Sequence, residues 1–458
     1  MSPPVWRSHC YEGRRKADDS ILNGERGALA TATHGYTLRM ARPISAPRGT
    51  RDLLPEDGPA WSRIEEIARD LSERYAFDRI DTPLFERIEL FSRGLGESSD
   101  AVEKEMFRVS GAAGSEEERA DWALRPEPTA GIVRAYLEHG MHVRPGPQSL
   151  WMIGPMFRYD RPQAGRYRQF VQWDVEVIGD PGPMVDAEII ELGQRFYSEV
   201  GLSDVAAYVN SIGDATCRPA YRQALVDYFS AHEASLTDDS RRRLRVNPLR
   251  VLDDRDLDPE LAAGAPRSVD HLCDACRAHF DAVRGLLNGL GVRYELDHRL
   301  VRGLDYYTRT TFEFFVAGRR GQQQALGGGG RYDGLAELLG GRPTPGIGFG
   351  IGIDRSVLAA AEQGVEAAVE APLVAVVSSE AGELGLRLAA AATLRAAGLR
   401  VRADGGTRKL GKQLESAAKL GARWAVIIGD DPGTVILRDL DEHTQRELPL
   451  SEVAAAIG

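Results

Sequence analysis

Phe170-Val171-Gln172-Trp173-Asp174-Val175-Glu176-Val177 alternates strictly with period two. In an extended chain Val171, Trp173, Val175 and Val177 share one face, and Gln172, Asp174 and Glu176 share the other. The apolar face must pack on a core, so the row of one amide and two carboxylates faces either solvent or a polar cavity. The residues just upstream weigh toward a cavity. Phe157-Arg158-Tyr159-Asp160-Arg161-Pro162-Gln163-Ala164-Gly165-Arg166-Tyr167-Arg168-Gln169 holds four arginines. The guanidinium is a rigid, two-pronged donor suited to phosphate. Residues 150–179 are therefore expected to form a long antiparallel hairpin with a polar loop, facing an anionic substrate.

A second alternation lies downstream, Gly346-Ile347-Gly348-Phe349-Gly350-Ile351-Gly352-Ile353-Asp354-Arg355. Its spacing is GxGxGxG, not the GxGxxG of a dinucleotide turn. It predicts a strand with one apolar face and one bare face, against which a planar ring or a neighbouring element can lie. Arg355 follows the strand, where a helix over Ser356–Ala361 begins, placed to meet a phosphate.

The rest of the chain frames these two strands. A length of 458 residues suggests two or three domains, and 43% hydrophobic with 27% charged residues is globular. The net charge of −11 excludes a sequence-blind nucleic-acid coat, so any nucleic-acid contact must use local basic patches. Four cysteines cannot make a disulfide framework at this length, and no apolar run approaches a membrane span or a signal peptide. A cytoplasmic location is expected. Residues 1–40 lack periodicity and read as a disordered tail ending at Met40, so residues 1–39 are expected to be dispensable for activity. Trp61, Ile64, Ala68, Leu71 and Tyr75 recur at helical spacing after Pro55, and a strand runs from Arg79 to Thr82. Residues 212–291 turn helical and Arg-rich, and read as an insertion within a strand-rich domain. Strand character returns over 299–316 and 345–353.

After a linker at Gly364–Ala371, strands and helices alternate as a small α/β domain of mixed sheet: strands 373–378, 399–403, 424–428 and 435–437, with helices 386–397 and 409–420. In the second helix Leu410, Leu414, Ala417 and Gly421 line one side, while Lys409, Lys412, Ser416, Lys419 and Arg423 line the other. Residues 400–423 carry seven basic and two acidic residues, a pattern that fits an RNA backbone.

Two near-matches are set aside. Gly406–Gln413 follows Walker A spacing but has Gln413 where a magnesium-binding Ser or Thr belongs. His271, Cys273, Cys276 and His279 offer four ligand types within nine consecutive residues, which close poorly into a tetrahedron, whereas zinc sites draw pairs from separate elements. No protein-bound zinc or other resident metal is expected.

With these segments in hand the chain resembles the histidyl-tRNA synthetase family of class II aminoacyl-tRNA synthetases across residues 44–458. Arg48-Gly49-Thr50-Arg51-Asp52-Leu53-Leu54-Pro55, with the helix and strand up to Pro83, resembles the first class II motif. Phe157–Glu176 resembles the second, and the glycine strand ending at Arg355 the third. Leu300–Thr310 and Gly329-Gly330-Arg331-Tyr332-Asp333-Gly334 resemble segments specific to the histidine enzymes.

The resemblance implies an α+β fold: a class II antiparallel sheet over 41–363 with the helical insertion 212–291, then a C-terminal α/β anticodon-binding domain over 372–458. It implies a homodimer and histidine–tRNA ligase activity. Histidine and ATP would form histidyl-adenylate with release of pyrophosphate, and the histidyl group would pass to the 3′ end of tRNA(His). ATP would bind with Mg2+, its α-phosphate on Arg158 and its γ-phosphate on Arg355, with adenine near the hairpin and the glycine face and Glu176 at the ATP side. Arg302 matches the catalytic arginine beside the α-phosphate. Histidine would be held by Glu127, Pro128, Thr129, Gln172, Glu176, Arg302, Tyr306, Tyr307 and Tyr332. In that set Glu127 and Thr129 take the α-amino group, Gln172 the carboxylate, and Glu176 with Tyr307 the two imidazole nitrogens. Arg161 and Gln163 would contact the acceptor end of the tRNA, and Lys409, Lys412 and Lys419 its anticodon region. Val171 stands where many members carry His, Pro128 where many carry Gly, and Asp160 replaces a frequent Glu. The rival of another class is the catalytically inactive, synthetase-like regulatory subunit of ATP phosphoribosyltransferase in histidine biosynthesis, which typically lacks the anticodon domain and loses pocket residues. A tRNA-sensing module would need an effector segment that the chain does not show, and another class II synthetase is opposed by Arg302–Tyr307.

Overall fold

The computed structural model describes residues 44–458 except 97–101, 103, 110–120, 164, 255, 303–305, 318–324, 366–370, 379–383, 407, 430, 432 and 458. The expected tail over 1–40 and part of the expected linker lie outside the described residues. The chain divides into two compact units, Met1–Ala367 and Ala368–Gly458.

The first unit opens with α1 (Gly58–Arg74), whose Trp61, Ile64, Ala68 and Leu71 are buried at the predicted helical spacing. Its strands are β1 (Asp78–Arg79), β2 (Phe85–Arg87), β3 (Arg108–Val109), β4 (Trp122–Leu124), β5 (Gln148–Phe157), β6 (Gln169–Ile178), β7 (Val205–Ser211), β8 (Tyr294–Leu296), β9 (Thr308–Val316), β10 (Gly327–Arg331) and β11 (Gly346–Gly352). Eight of them form one sheet in the order β1-β5-β6-β11-β10-β9-β7-β8, and β2-β4-β3 form a small antiparallel sheet. Only the outermost pairs of the large sheet, β1 with β5 and β7 with β8, are parallel. The hairpin predicted over 150–179 is the β5–β6 pair.

Two alternating strands make the two faces of this sheet different. Trp173, Val175 and Val177 of β6 and Ile347, Phe349 and Ile351 of β11 enter one core, together with α1 and the buried residues of α4 (Pro183–Val200). Trp173 also donates from Nε1 to Ser72 Oγ at 3.0 Å, so the indole is buried with its polar edge satisfied. The even-numbered residues of both strands face the other way, where α2 (Ile88–Leu95) and α3 (Thr129–Glu138) stand.

The predicted insertion is helical: α5 (Arg218–Ala231), α6 (Asp238–Val246), α7 (Pro259–Ala263) and α8 (Asp274–Gly289). Its last helix, however, belongs to the main body. Phe280, Val283 and Leu287 of α8 are buried in the same core as α4. His279 Nε2 stands 2.9 Å from the carboxylate of Asp186, which also meets Arg331 at 2.7 Å. That fully buried ion pair ties α8, α4 and β10 together, so 212–291 is not an appendage throughout. Two further helices, α9 (Leu335–Leu338) and α10 (Ile353–Glu362), follow β10 and β11.

The second unit holds β12 (Leu373–Ser378), α11 (Leu384–Ala396), β13 (Val401–Ala403), α12 (Leu410–Lys419), β14 (Ala422–Ile428), β15 (Thr434–Asp439), β16 (Gln445–Pro449) and α13 (Val453–Ile457). The sheet order β13-β12-β14-β15-β16 is parallel on one side and antiparallel on the other, as its alternating pattern predicts. Strand β16 goes beyond the expected elements, because an exposed edge strand carries no apolar alternation. Gln413 is buried and bonds the backbone of Ser378 and Arg408. This is a packing role, which accounts for the residue that breaks the Walker pattern.

Candidate active site

The antiparallel register places Glu176 opposite Gly348, Asp174 opposite Gly350 and Gln172 opposite Gly352. A Cβ added at Gly348 would lie 1.8 Å from Glu176 Oε2, and one at Gly350 would lie 2.5 Å from Gln172 Nε2 and 2.6 Å from Asp174 Oδ1. The bare face is therefore not a platform for a ring along its whole length. Its central glycines are covered by the polar row of β6, and only the Gly352 end keeps ordinary contact distances. The alternative of close packing by a neighbouring element is the one realised, with a strand in place of a helix.

Over this face sit three buried carboxylates. Glu127 accepts from the backbone N–H groups of Thr129 and Ala130 at 2.9 and 3.0 Å, at the start of α3. Pro128 occupies the N-cap, where no N–H is required, so it leaves Glu127 and Thr129 facing the cavity. Glu176 accepts from Thr129 Oγ1 at 2.7 Å and from the Tyr332 hydroxyl. Asp174 is 2% exposed, and its Oδ2, like Gln172 Oε1, finds no hydrogen-bond partner among the described residues. Burial raises all three acids: Glu127 upward, Asp174 well above the carboxylate range with Glu176 and Glu127 adding repulsion, and Glu176 to about 8. Three buried acids with raised affinity for protons give this end of the face a strongly acidic, hydrogen-bond-accepting character. Tyr306, Tyr307 and Tyr332 wall it, with ring centroids 4.7 Å apart for Tyr306–Tyr307 and 5.8 Å for Tyr306–Tyr332. The hydroxyl that reaches Glu176 belongs to Tyr332. Tyr307 instead stands beneath Arg302, whose guanidinium carbon is 5.6 Å from its ring centroid.

The other end of the same face is cationic. Arg158 donates from Nε to Pro126 O at 2.8 Å and lies over the Phe170 ring. Arg355 donates from Nε to Gly165 O at 3.1 Å and also to Ala325 O. Burial lowers the Arg355 pKa to about 10, and the charges of Arg166 and Arg158 push it the same way. Of these two neighbours Arg166 is paired with Asp160, while the side chains of Arg158 and Arg355 make only the hydrogen bonds to backbone just named among the described residues. Between the two ends Arg302 bonds Glu313 Oε1 at 2.5 Å and Gly328 O at 3.1 Å. Burial alone would depress the Arg302 guanidinium, but Tyr307 and Glu313 overrule it and hold it above the usual arginine value. Asp354 joins the three motif segments, accepting from Arg51 Nη2 at 3.0 Å and from the Val171 N–H at 2.8 Å while heading α10.

The fold thus gathers Glu127, Thr129, Gln172, Glu176, Tyr306, Tyr307, Tyr332, Arg302, Arg158 and Arg355 around one sheet face. Arg161 and Gln163 stand apart, in the loop between β5 and β6, where Gln163 and Arg166 form an isolated antiparallel bridge. Lys409, Lys412 and Lys419 are exposed in the second unit. Lys412 and Lys419 share Glu415 at 2.7 and 2.8 Å, so the basic stripe is partly neutralised. Sequence reasoning assigns no role to Asp174, Arg166, Glu313 or Asp354. Asp174 and Arg166 are visible in the polar row and the arginine loop, whereas Glu313 and Asp354 carry no local signal.

The family model for histidyl-tRNA synthetase matches residues 49–355, and that for the anticodon binding domain matches 373–458. The chain belongs to the histidyl-tRNA synthetase family. A histidine–tRNA ligase of Desulforudis audaxviator is 46% identical over 416 residues, covering 90% of this chain and 97% of the relative. One of Koribacter versatilis is 48% identical over 400 residues, covering 85% and 89%. The apo crystal structure of S. aureus histidyl-tRNA synthetase superposes with a TM-score of 0.74 at 34% identity, covering 91% of this chain and 100% of that one. The α+β architecture that the resemblance implied is that of this class II family. No helix among the described residues is long and apolar enough to cross a membrane.

Proposed function

We propose that this member of the histidyl-tRNA synthetase family is a histidine–tRNA ligase whose sheet face binds histidine at the carboxylate end and ATP at the arginine end. The observation that carries the reading is the placement, on one face, of the buried carboxylates Glu127, Asp174 and Glu176 at one end and the guanidinium groups of Arg158, Arg302 and Arg355 toward the other. An amino acid brings an ammonium to the acidic end, and a polyphosphate brings negative charge to the basic end. Glu127 and Thr129 take the α-amino group, and Gln172 the carboxylate. Glu176, backed by Tyr332, meets one imidazole nitrogen, and a hydroxyl among Tyr306 and Tyr307 meets the other. A buried site built to pair both nitrogens rejects side chains that leave its groups unpaired. Arg158 and Arg355 take the α- and γ-phosphates, adenine lies toward Gly352, and Mg2+ enters with ATP as part of the substrate.

In the first step a histidine carboxylate oxygen attacks the α-phosphorus, forming the new P–O bond as the bond to the β-phosphate oxygen breaks and pyrophosphate leaves. Arg302, fixed by Glu313, faces the charge that develops on the α-phosphoryl oxygens, so positioning and electrostatics carry the step. In the second step a terminal ribose hydroxyl of the tRNA attacks the acyl carbon and AMP departs. Arg161 and Gln163 serve the acceptor end, and α12 the anticodon region. Leu53, Leu54, Leu84 and Phe85 are exposed apolar residues in and beside the first motif, which supports the expected homodimer there.

The deciding experiment is ATP–pyrophosphate exchange with each amino acid tested singly. Histidine alone is expected to support it. Exchange with a different amino acid overturns the roles of Glu176 and the tyrosines, and no exchange with any of them moves the reading to the regulatory subunit.

The Glu176 assignment has a pH signature. Burial holds its proton up to about pH 8, and the carboxylate accepts an imidazole N–H far more strongly than the neutral acid does. Histidine kcat/KM is therefore expected to rise with pH toward about 8 and then level. In Glu176→Gln the limb disappears, and the ratio of the two profiles cancels the ionisations of histidine itself. That variant should also raise KM for histidine far more than KM for ATP. A ratio flat with pH removes Glu176 from histidine recognition.

The second unit makes a separable prediction. Replacing Lys409, Lys412 and Lys419 with glutamine should weaken tRNA charging and flatten its salt dependence, by about one unit of log–log slope for each phosphate no longer neutralised. Pyrophosphate exchange should stay unchanged, and a parallel fall in both activities contradicts an RNA role for α12.

A further inference from the structure

One cluster of ligating side chains takes no part in this site. The turn Asp214-Ala215-Thr216-Cys217, which leads into α5, folds against Cys273-Asp274-Ala275-Cys276, which opens α8. One carboxylate oxygen of Asp214 and the sulfurs of Cys217, Cys273 and Cys276 all lie within 4.8 Å of one another. All three cysteines are free thiols. We propose that Asp214, Cys217, Cys273 and Cys276 form a structural zinc site that clamps the turn leading into α5 to the start of α8.

The donor set selects the metal. Three soft thiolates and one carboxylate suit Zn2+ in a closed tetrahedron and suit Mg2+ or Ca2+ poorly. With metal–sulfur bonds of ~2.3 Å, a tetrahedron has sulfur–sulfur edges of about 3.8 Å. The longest separation in the cluster, 4.8 Å, must therefore contract by no more than about 1 Å. The ligands also come as two chelating pairs with two residues between members, drawn from separate elements, which is how structural zinc sites are assembled. Each pair is closed in the same way. The Asp214 N–H donates to Cys217 Sγ at 3.3 Å, and the Cys276 N–H donates to the sulfur of Cys273. Cys273 is the N-cap of α8, where the helix dipole favours a thiolate.

The surroundings are those of a closed site. Cys217 and Cys276 are 6% and 1% exposed and pack with Leu272 and Val269. Arg309 Nη2 stands 3.4 Å from Asp214 Oδ2, a cation placed to offset part of the charge of a ligand set more negative than the metal is positive. Arg309 belongs to β9, and its backbone pairs with Ile212 N and Gly213 O at 2.8 Å each. The two histidines weighed in the sequence are not ligands. His279 serves the Asp186 pair, and the His271 ring lies 5.6 Å from that of Tyr221. The expectation of no resident zinc rests on those histidines. The fold replaces them with Asp214 and Cys217, which no local pattern connects to Cys273 and Cys276.

The test is metal content of the full-length chain, purified without chelator or immobilised metal, by inductively coupled plasma mass spectrometry. About one zinc per chain is expected, released in step with mercurial titration of three of the four thiols, Cys10 being the one outside the site. Cobalt-exchanged protein should show a thiolate charge-transfer band, and Cys273→Ser and Cys276→Ser should lose the metal. The wild-type measurements stand even where a variant fails to fold. Zinc at background before and after incubation with Zn2+ overturns the proposal, leaving the cysteines as small apolar packing groups. An intact mass after alkylation that reveals a disulfide among the three overturns it as well.

Discussion

Arg302→Ala is expected to lower the kcat of histidine-dependent ATP–pyrophosphate exchange by about 10²–10³-fold, the loss seen when one preorganised charge stabiliser is removed. KM for histidine should change much less, because the guanidinium acts on charge that appears only as the carboxylate attacks. The structure explains why the group is effective and complicates its removal. Arg302 is held by Glu313 and by Gly328 O, so it needs no rearrangement during the step. Deleting it strands the partly buried Glu313, whose pKa burial already raises, and so destabilises the fold as well. Arg302→Ala/Glu313→Gln removes that penalty while keeping the catalytic loss. If the double variant exchanges at near wild-type rates, Arg302 has no place in the mechanism.

The second large effect comes from a residue with no side chain. Gly348→Ala places a methyl group 1.8 Å from Glu176 Oε2 and 2.3 Å from Val175 O, and the backbone oxygen cannot yield. Glu176 must leave its position between Thr129 and Tyr332. A displacement of about 1 Å in a positioned group can cost on the order of 10²-fold in rate, so kcat/KM for histidine should fall by at least that much. KM for ATP should move little, since Arg158 and Arg355 lie at the other end of the face. Thermal unfolding should show whether the sheet survives, and equal losses for both substrates mean that the damage is not confined to the histidine pocket.

The sequence announces the parts of this site that have a local signature. Period-two alternation puts Gln172 and Glu176 on one face of β6 with Asp174 between them, and spacing distinguishes the glycine strand from a nucleotide-binding turn. What it cannot announce depends on register between strands far apart in the chain. Nothing local says that Glu176 will lie over Gly348, or that Glu313 will reach Arg302. Strand β10, four glycines and an arginine, has almost no intrinsic strand preference. It exists because β9 and β11 pair with it on both sides, and because a Cβ at Gly329 would fall 1.9 Å from Gly348 O. Likewise, α8 reads as part of an Arg-rich insertion until its burial against α4 is seen. The cysteine cluster escapes sequence reasoning for the same reason, since half of its members come from another element.

Asp354 carries a consequence for how such a protein is made. Its carboxylate closes contacts with Arg51 and Val171, partners 303 and 183 positions earlier in the chain. During synthesis β6 emerges long before β11, and until residue 352 follows it one edge of that strand stays bare. Contacts of such long range come late and slow folding. The last strand of the catalytic sheet to leave the ribosome is thus also the one that completes the catalytic face. A nascent chain stalled before it holds most of its helices, exposes a sticky edge and has no assembled site, which makes the stretch between β6 and β11 the interval of synthesis in which chaperone protection matters most.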